Sequence, residues 1–119
     1  TEIYTLSLHD ALPILGWRRV RLPNPFGMRP IDVRPDWVCE IASPSNARYD
    51  RVQKRALYAR HGVPYLWLID PAERVLEAMK LVEGSWIELG AWTDRGAVRI
   101  EPFDAVELDL ERVFPPVLE

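Results

Sequence analysis

A chain of 119 residues has room for one small domain, and 48% hydrophobic with 10% aromatic residues supply a core, which excludes global disorder. A single cysteine, Cys39, excludes a disulfide framework or a cysteine-rich zinc site and fits a reducing, cytoplasmic setting, and no apolar run approaches the ~20 residues of a membrane span. The net charge of −3 hides an asymmetry: residues 15–60 carry ten Arg/Lys against four Asp/Glu, and residues 61–119 five against twelve, so a polyanion would meet the first half.

In chain order, Thr1 to Ile14 matches one reading frame of a common sequencing adapter along its whole length. It has neither the basic start and apolar stretch of a signal peptide nor the composition of a transit peptide. It is read as a translated artefact and left out of fold reasoning, His9 with it; native sequence upstream of Leu15 is then expected to be missing. Four prolines between residues 23 and 35, with Asn24 and Gly27, predict an irregular loop. Trp37 to Ala42 predicts a short apolar strand with Glu40 inside it. Ser43-Pro44-Ser45-Asn46 is a turn ending in an N-cap, followed by a helix from about Ala47 to His61 that Gly62 closes. Tyr65 to Ile69 predicts a strand buried on both faces, ended by Asp70-Pro71. Val75 to Leu81, Trp86 to Trp92 and Ala97 to Ile100 predict three more strands, turning at Glu83-Gly84 and Asp94-Arg95-Gly96. Leu108 to Phe114 is a helical or extended tail. The pattern is β-α-β followed by a β-meander.

The chemistry-bearing residues sit around the first strand and helix. Side chains alternate, so Glu40 shares a face with Val38, Ala42 and Asp36, opposite Trp37, Cys39 and Ile41. Asp36 lies about 13 Å away along the strand, too far to share a metal easily, and reads as a strand-entry residue. A carboxylate in an apolar strand needs a cation, because burying it unpaired is costly. Asp50, Lys54 and Tyr58 follow at i, i+4, i+8 and form one helix stripe. Tyr49, Val52, Ala56 and Leu57 form the neighbouring apolar face expected to pack on the sheet, leaving Lys54 at the border. The plain alternative is a surface Asp50–Lys54 pair, with Glu40 neutralised by an arginine. His61 reads as a helix-terminal residue, Cys39 as a core thiol, and Trp67, Trp86 and Trp92 as core or interface aromatics. Trp17 among Arg18, Arg19 and Arg21 reads equally as a nucleic-acid contact or a loop anchor.

The run from Pro35 to Pro71 resembles the Uma-two family of restriction-endonuclease-like proteins, a branch of the PD-(D/E)XK nuclease superfamily. Pro35-Asp36-Trp37-Val38-Cys39-Glu40-Ile41-Ala42-Ser43-Pro44-Ser45 matches its strand and turn. Asp50, Lys54 and Tyr58 match its helix motif, and Gly62-Val63 with Trp67, Asp70 and Pro71 match its next strand. The resemblance implies an α/β (α+β) restriction-endonuclease-like mixed sheet with its N-terminal part missing. Residues 1–14 are then an artefact, and residues 15–119 a single partial domain.

By the same resemblance, Glu40 and Lys54 are catalytic and Glu40 binds metal, with Mg²⁺ the expected cofactor and Mn²⁺ an alternative. Asp50 and Tyr58 are supporting, and Arg18, Arg19, Arg48 and Arg51 are candidate nucleic-acid contacts. The superfamily lysine two residues after Glu40 would fall at Ala42; in this family an equivalent comes from the helix, where Lys54 stands. The remaining acidic ligand precedes a Gly-Trp-Arg-Arg-like segment. Gly16-Trp17-Arg18-Arg19 is present, but Pro13-Ile14-Leu15 stands where the aspartate belongs. The expected function is a Mg²⁺-dependent DNA endonuclease fragment, inactive as written, with DNA as partner, no membrane, and a homodimer left open. The alternatives are a non-catalytic dimerising or nucleic-acid-associated module of the same fold, and a small-molecule hydrolase. The last predicts a deep apolar pocket and no approach of Lys54 to Glu40.

Overall fold

The computed structural model describes residues 3–7, 14–21, 33–42 and 47–116, with backbone alone for 3–7 and 47–50. The predicted 23–32 stretch of loop and the Ser43-to-Asn46 turn lie outside the described residues. Among the described residues six strands form one sheet in sequence order: β1 (Ile3–Ser7), β2 (Ile14–Arg18), β3 (Trp37–Ile41), β4 (Tyr65–Asp70), β5 (Val75–Val82) and β6 (Ser85–Trp92). Every neighbouring pair is antiparallel except β3 and β4, which run parallel because helix α1 (Ala47–Arg60) carries the chain back between them.

The expected β-α-β core and the β5–β6 hairpin are present within a residue or two. At the hairpin, Glu83 and Gly84 take φ of 50° and 79°, as a tight two-residue turn requires. Three expectations need correction. Residues Ile3–Ser7, expected to take no part in the fold, form β1, which pairs with all of β2 from Ile3↔Arg18 to Ser7↔Ile14. Isoleucine, tyrosine and threonine favour strand, and β2 offers them an open edge. The strand expected at Ala97 to Ile100 is only β7 (Ala97–Val98). It leaves the meander to pair with β8 (Leu108–Asp109) in a separate ribbon, followed by the short α2 (Leu110–Val113).

The third correction concerns α1. Val52 and Leu57 are 67% and 41% exposed and Ala56 is exposed too, while Arg51, Lys54, Arg55, Tyr58 and Ala59 are partly covered. The helix thus lays its long polar stripe on the sheet, because that stripe ends in groups that find partners there. The side chains of Tyr49, Asp50 and Arg48 lie outside the described residues.

The sheet has a packed layer on each face. On the α1 side are Val38, Val63, Leu66, Leu68 and Met79, with Leu15, Tyr58 and Trp86 against them. On the far side are Trp37, Cys39, Trp67, Leu76, Ala78, Ile100, Leu110 and Phe114. Fully burying one such aliphatic side chain contributes about 1.5–3 kcal/mol. Trp37, Trp67 and Phe103 meet edge to face with centroids 4.9–5.4 Å apart. Trp67, as expected, is a core aromatic, and its Nε1 donates to the Glu101 carbonyl at 2.9 Å.

Two devices fix α1 over β3. At its end Gly62 (φ 72°) lets Val63 N donate to Tyr58 O and Gly62 N to Ala59 O, each at 3.0 Å. That double closure binds the last turn and seats Val63 beside Tyr58 in the same apolar cluster. His61 is the residue just past the helix, as expected. In addition, Trp86 Nε1 donates to the Arg55 carbonyl at 2.9 Å, tying α1 to β6.

Candidate active site

Glu40 sits near the end of β3 on the face that α1 covers, and is only 8% exposed. Tyr58 donates its hydroxyl to Oε1, and Lys54 Nζ lies 3.2 Å from Oε2. Lys54 and Tyr58 are one helical turn apart, so one α1 stripe closes over both carboxylate oxygens. The Lys54 side chain as a whole stays about one-third exposed, which places it at the border of core and solvent. Glu40 is therefore neutralised by Lys54, rather than by an arginine as in the plain alternative.

The other candidates separate. Asp36 is 4% exposed and accepts from Arg18 N at 2.7 Å and Arg21 Nη1 at 2.6 Å, with Arg34 Nη2 3.9 Å away. It anchors the entry to β3, as its position suggested. Trp17 is 3% exposed and donates to the Val33 carbonyl at 2.7 Å, which makes it a loop anchor rather than a stacking platform. Arg18 is half-buried at the end of β2, its backbone N bonded to Asp36, and Arg19 is exposed in the following turn. Arg51 lies on the α1 stripe one turn before Lys54, and its Nη2 is 3.6 Å from Asp70 Oδ2. As a strand end and a motif position before Pro71, Asp70 carries no hint of the arginine in the sequence.

Cys39 points to the far face. Burial, and then the charge of neighbouring Glu40, push its thiol up from an ordinary 9.0 to about 12. Iodoacetamide at pH 8 is expected to leave the folded protein unmodified by mass spectrometry and to alkylate it in urea; rapid native alkylation would contradict that burial. Between pH 9.0 and about 12 the unfolded chain loses this proton first, so the thiol's contribution to stability is complete below that window and is lost across it.

On the far face a cavity of about 370 Å³ is lined by Trp67, Ile100, Pro102, Phe103, Val106 and Leu108. It is separated from Glu40 by the sheet, and the 3.2 Å approach of Lys54 fails the criterion set for a small-molecule hydrolase. No helix among the described residues is long and apolar enough to cross a membrane.

The mixed sheet, with its one parallel pair bracketing α1, matches a restriction-endonuclease-like nuclease fold. The chain belongs to the Uma2 family, described as "Putative restriction endonuclease", whose model matches residues 16–112. The fold is also that of a crystal structure of "a putative nuclease belonging to DUF820" from Anabaena variabilis, with 21% identity and a TM-score of 0.63. The match covers 85% of this chain and 57% of that one, so the chain spans little more than half of that protein's length. No curated protein matches this chain significantly.

Proposed function

We propose that this chain is part of a Mg²⁺-dependent DNA endonuclease that hydrolyses phosphodiester bonds, with Glu40 and Lys54 as its catalytic pair and Tyr58 holding Glu40 in place. The observation that carries this reading is the 3.2 Å contact between Lys54 Nζ and Glu40 Oε2, made across two elements from residues fourteen apart. Burial already asks for a cation beside Glu40, and phosphodiester hydrolysis asks for the same acid and cation side by side. Lys54 would donate to a non-bridging phosphate oxygen and stabilise the charge that grows there. Tyr58, clamped by the closure at Gly62, keeps the carboxylate turned toward the lysine.

The described residues do not fit a metal site on their own. Among them no three His, Cys, Asp or Glu side chains converge, and both Glu40 oxygens are already engaged. Beside Val38, on the Glu40 face, β2 offers only Leu15. The second acid is the missing part, and its place belongs to the segment Pro13-Ile14-Leu15, of which we read Pro13 and Ile14 as the end of adapter-encoded sequence. As written, the chain is then catalytically silent.

The test is plasmid cleavage by the longer protein carrying its native sequence upstream of Leu15. Nicking that requires Mg²⁺ or Mn²⁺ and is lost in Glu40→Ala and Lys54→Ala is the expected result. DNA binding without cleavage, indifferent to both substitutions, would favour the non-catalytic module. The closed Glu40–Lys54 pair is the observation on that side.

A further inference from the structure

Resting on the nuclease reading, we infer that Arg51 and Asp70 form a phosphate-binding subsite beside Glu40 and Lys54, in which Asp70 positions the Arg51 guanidinium for the backbone of the bound strand. The placement follows from register. Leu66 and Leu68 of β4 point into the α1-side layer, and alternation puts Asp70 on the same face. Leu68 is the register partner of Glu40, so Asp70 lies one alternate position, about 7 Å, further along the neighbouring parallel strand. On α1, Arg51 precedes Lys54 by three residues, about 4.5 Å along the axis. Two acids on the sheet thus face two cations on the helix.

The order of the layers decides what such a site attracts. Side-chain exposure is 35% for Arg51 against 24% for Asp70, and 31% for Lys54 against 11% for Glu40. Both cations lie outside their acids, so an incoming anion meets a guanidinium and an ammonium first. Arg51 is also incompletely used. Its Nη2 stands 3.6 Å from Asp70, beyond hydrogen-bond length, so the donors in question are the terminal nitrogens; Nε is itself buried, with no acceptor among the described residues. Asp70 instead spends Oδ1 on the amides of Ala72 and Glu73, both at 3.1 Å, which makes the carboxylate a rigid post. An arginine held by a fixed charge, with fork donors left over, suits phosphate better than another carboxylate.

Fluorescence anisotropy with a labelled 20-base-pair duplex tests this on the chain as it is, with circular dichroism melting of each variant. Removing one phosphate contact should weaken binding about eightfold at 0.1 M salt and make the logarithmic salt dependence about 0.9 shallower. Arg51→Ala is expected to do both, while Arg51→Lys keeps the slope and loses part of the affinity. Asp70→Asn retains an oxygen for the Ala72 and Glu73 amides. It should bind DNA more weakly although it removes a negative charge, with its melting temperature little changed. Tighter binding by Asp70→Asn would show that the acid merely repels DNA and would overturn its positioning role. Wild-type binding with Arg51→Ala unchanged in affinity and slope overturns the subsite and leaves the nuclease reading standing. A wild type that binds no duplex even at low salt overturns both.

Discussion

Lys54→Met should lower the stability of the folded chain by about 3 kcal/mol, the low end of what breaking a buried ion pair costs. For a domain of this size that is a fall in melting temperature of roughly 10–20 °C. Methionine keeps an unbranched apolar stem, so the loss is not a cavity effect. What changes is Glu40. It is 8% exposed, and after the substitution only the Tyr58 hydroxyl remains, of the two described partners, to compensate its charge. Glu40→Gln alone should cost less, about 1 kcal/mol, because Lys54 is one-third exposed and can turn its ammonium to water. The decisive measurement is the double variant in urea unfolding. Glu40→Gln should stabilise the Lys54→Met protein, giving a coupling energy of about 1–3 kcal/mol. Additive single effects, or a Lys54→Met loss below about 0.5 kcal/mol, which is the range of ordinary surface substitutions, would mean that the pair is not formed in solution.

The same pair shows which parts of this molecule its sequence reveals. Glu40, Lys54 and Tyr58 were legible together because a carboxylate amid apolar strand residues has few solutions. A helix stripe at i and i+4 fourteen residues later is one of them. The β4–β5–β6 strands were legible from alternation and from Glu83-Gly84, where backbone chemistry leaves little choice. The face of α1 was not. Counting apolar residues points to Val52 and Leu57, but Lys54, Tyr58 and Arg51 carry long apolar stems and ends that pair with strand acids or the sheet surface, and these win. Asp70 was hidden for a related reason. An aspartate before proline at a strand end already has a local explanation, and its tie to Arg51 depends on the helix rotation that hydrophobicity misjudged. β1 was missed because its residues were set aside by origin, whereas pairing depends only on composition and an open edge.

On the proposed missing-acid account, aspartate placed before Gly16 should turn this chain into a metal binder. Ile14 packs with the far-side layer and Leu15 with the α1-side layer, so an acid at 14 points away from Glu40. The informative positions are the two that flank it, Leu15 and Pro13, the latter outside the described residues. Leu15→Asp or Pro13→Asp, with Ile14→Asp as control, can be titrated with Mn²⁺ by electron paramagnetic resonance. One of the first two should bind at least about tenfold more tightly than the unmodified chain, a difference of about 1.4 kcal/mol, while the control should not.

Thermal stability gives an independent readout. A second carboxylate near Glu40 places two like charges on one face, so the variant should melt below the unmodified chain without metal. It should then regain stability as Mn²⁺ is added, which a ligand that binds only the folded state must produce. Glu40→Ala in the same background should abolish that recovery. Plasmid nicking completes the experiment: none from the chain as it stands, and Glu40-dependent nicking from the variant that gained metal. If the unmodified chain already nicks DNA and Glu40→Ala removes the activity, its own residues suffice and the missing-acid account fails. If neither Asp variant gains Mn²⁺ affinity, the missing ligand does not belong at Pro13 or Leu15. Glu40 and Lys54 would then be read as a structural pair that pins α1 to the sheet.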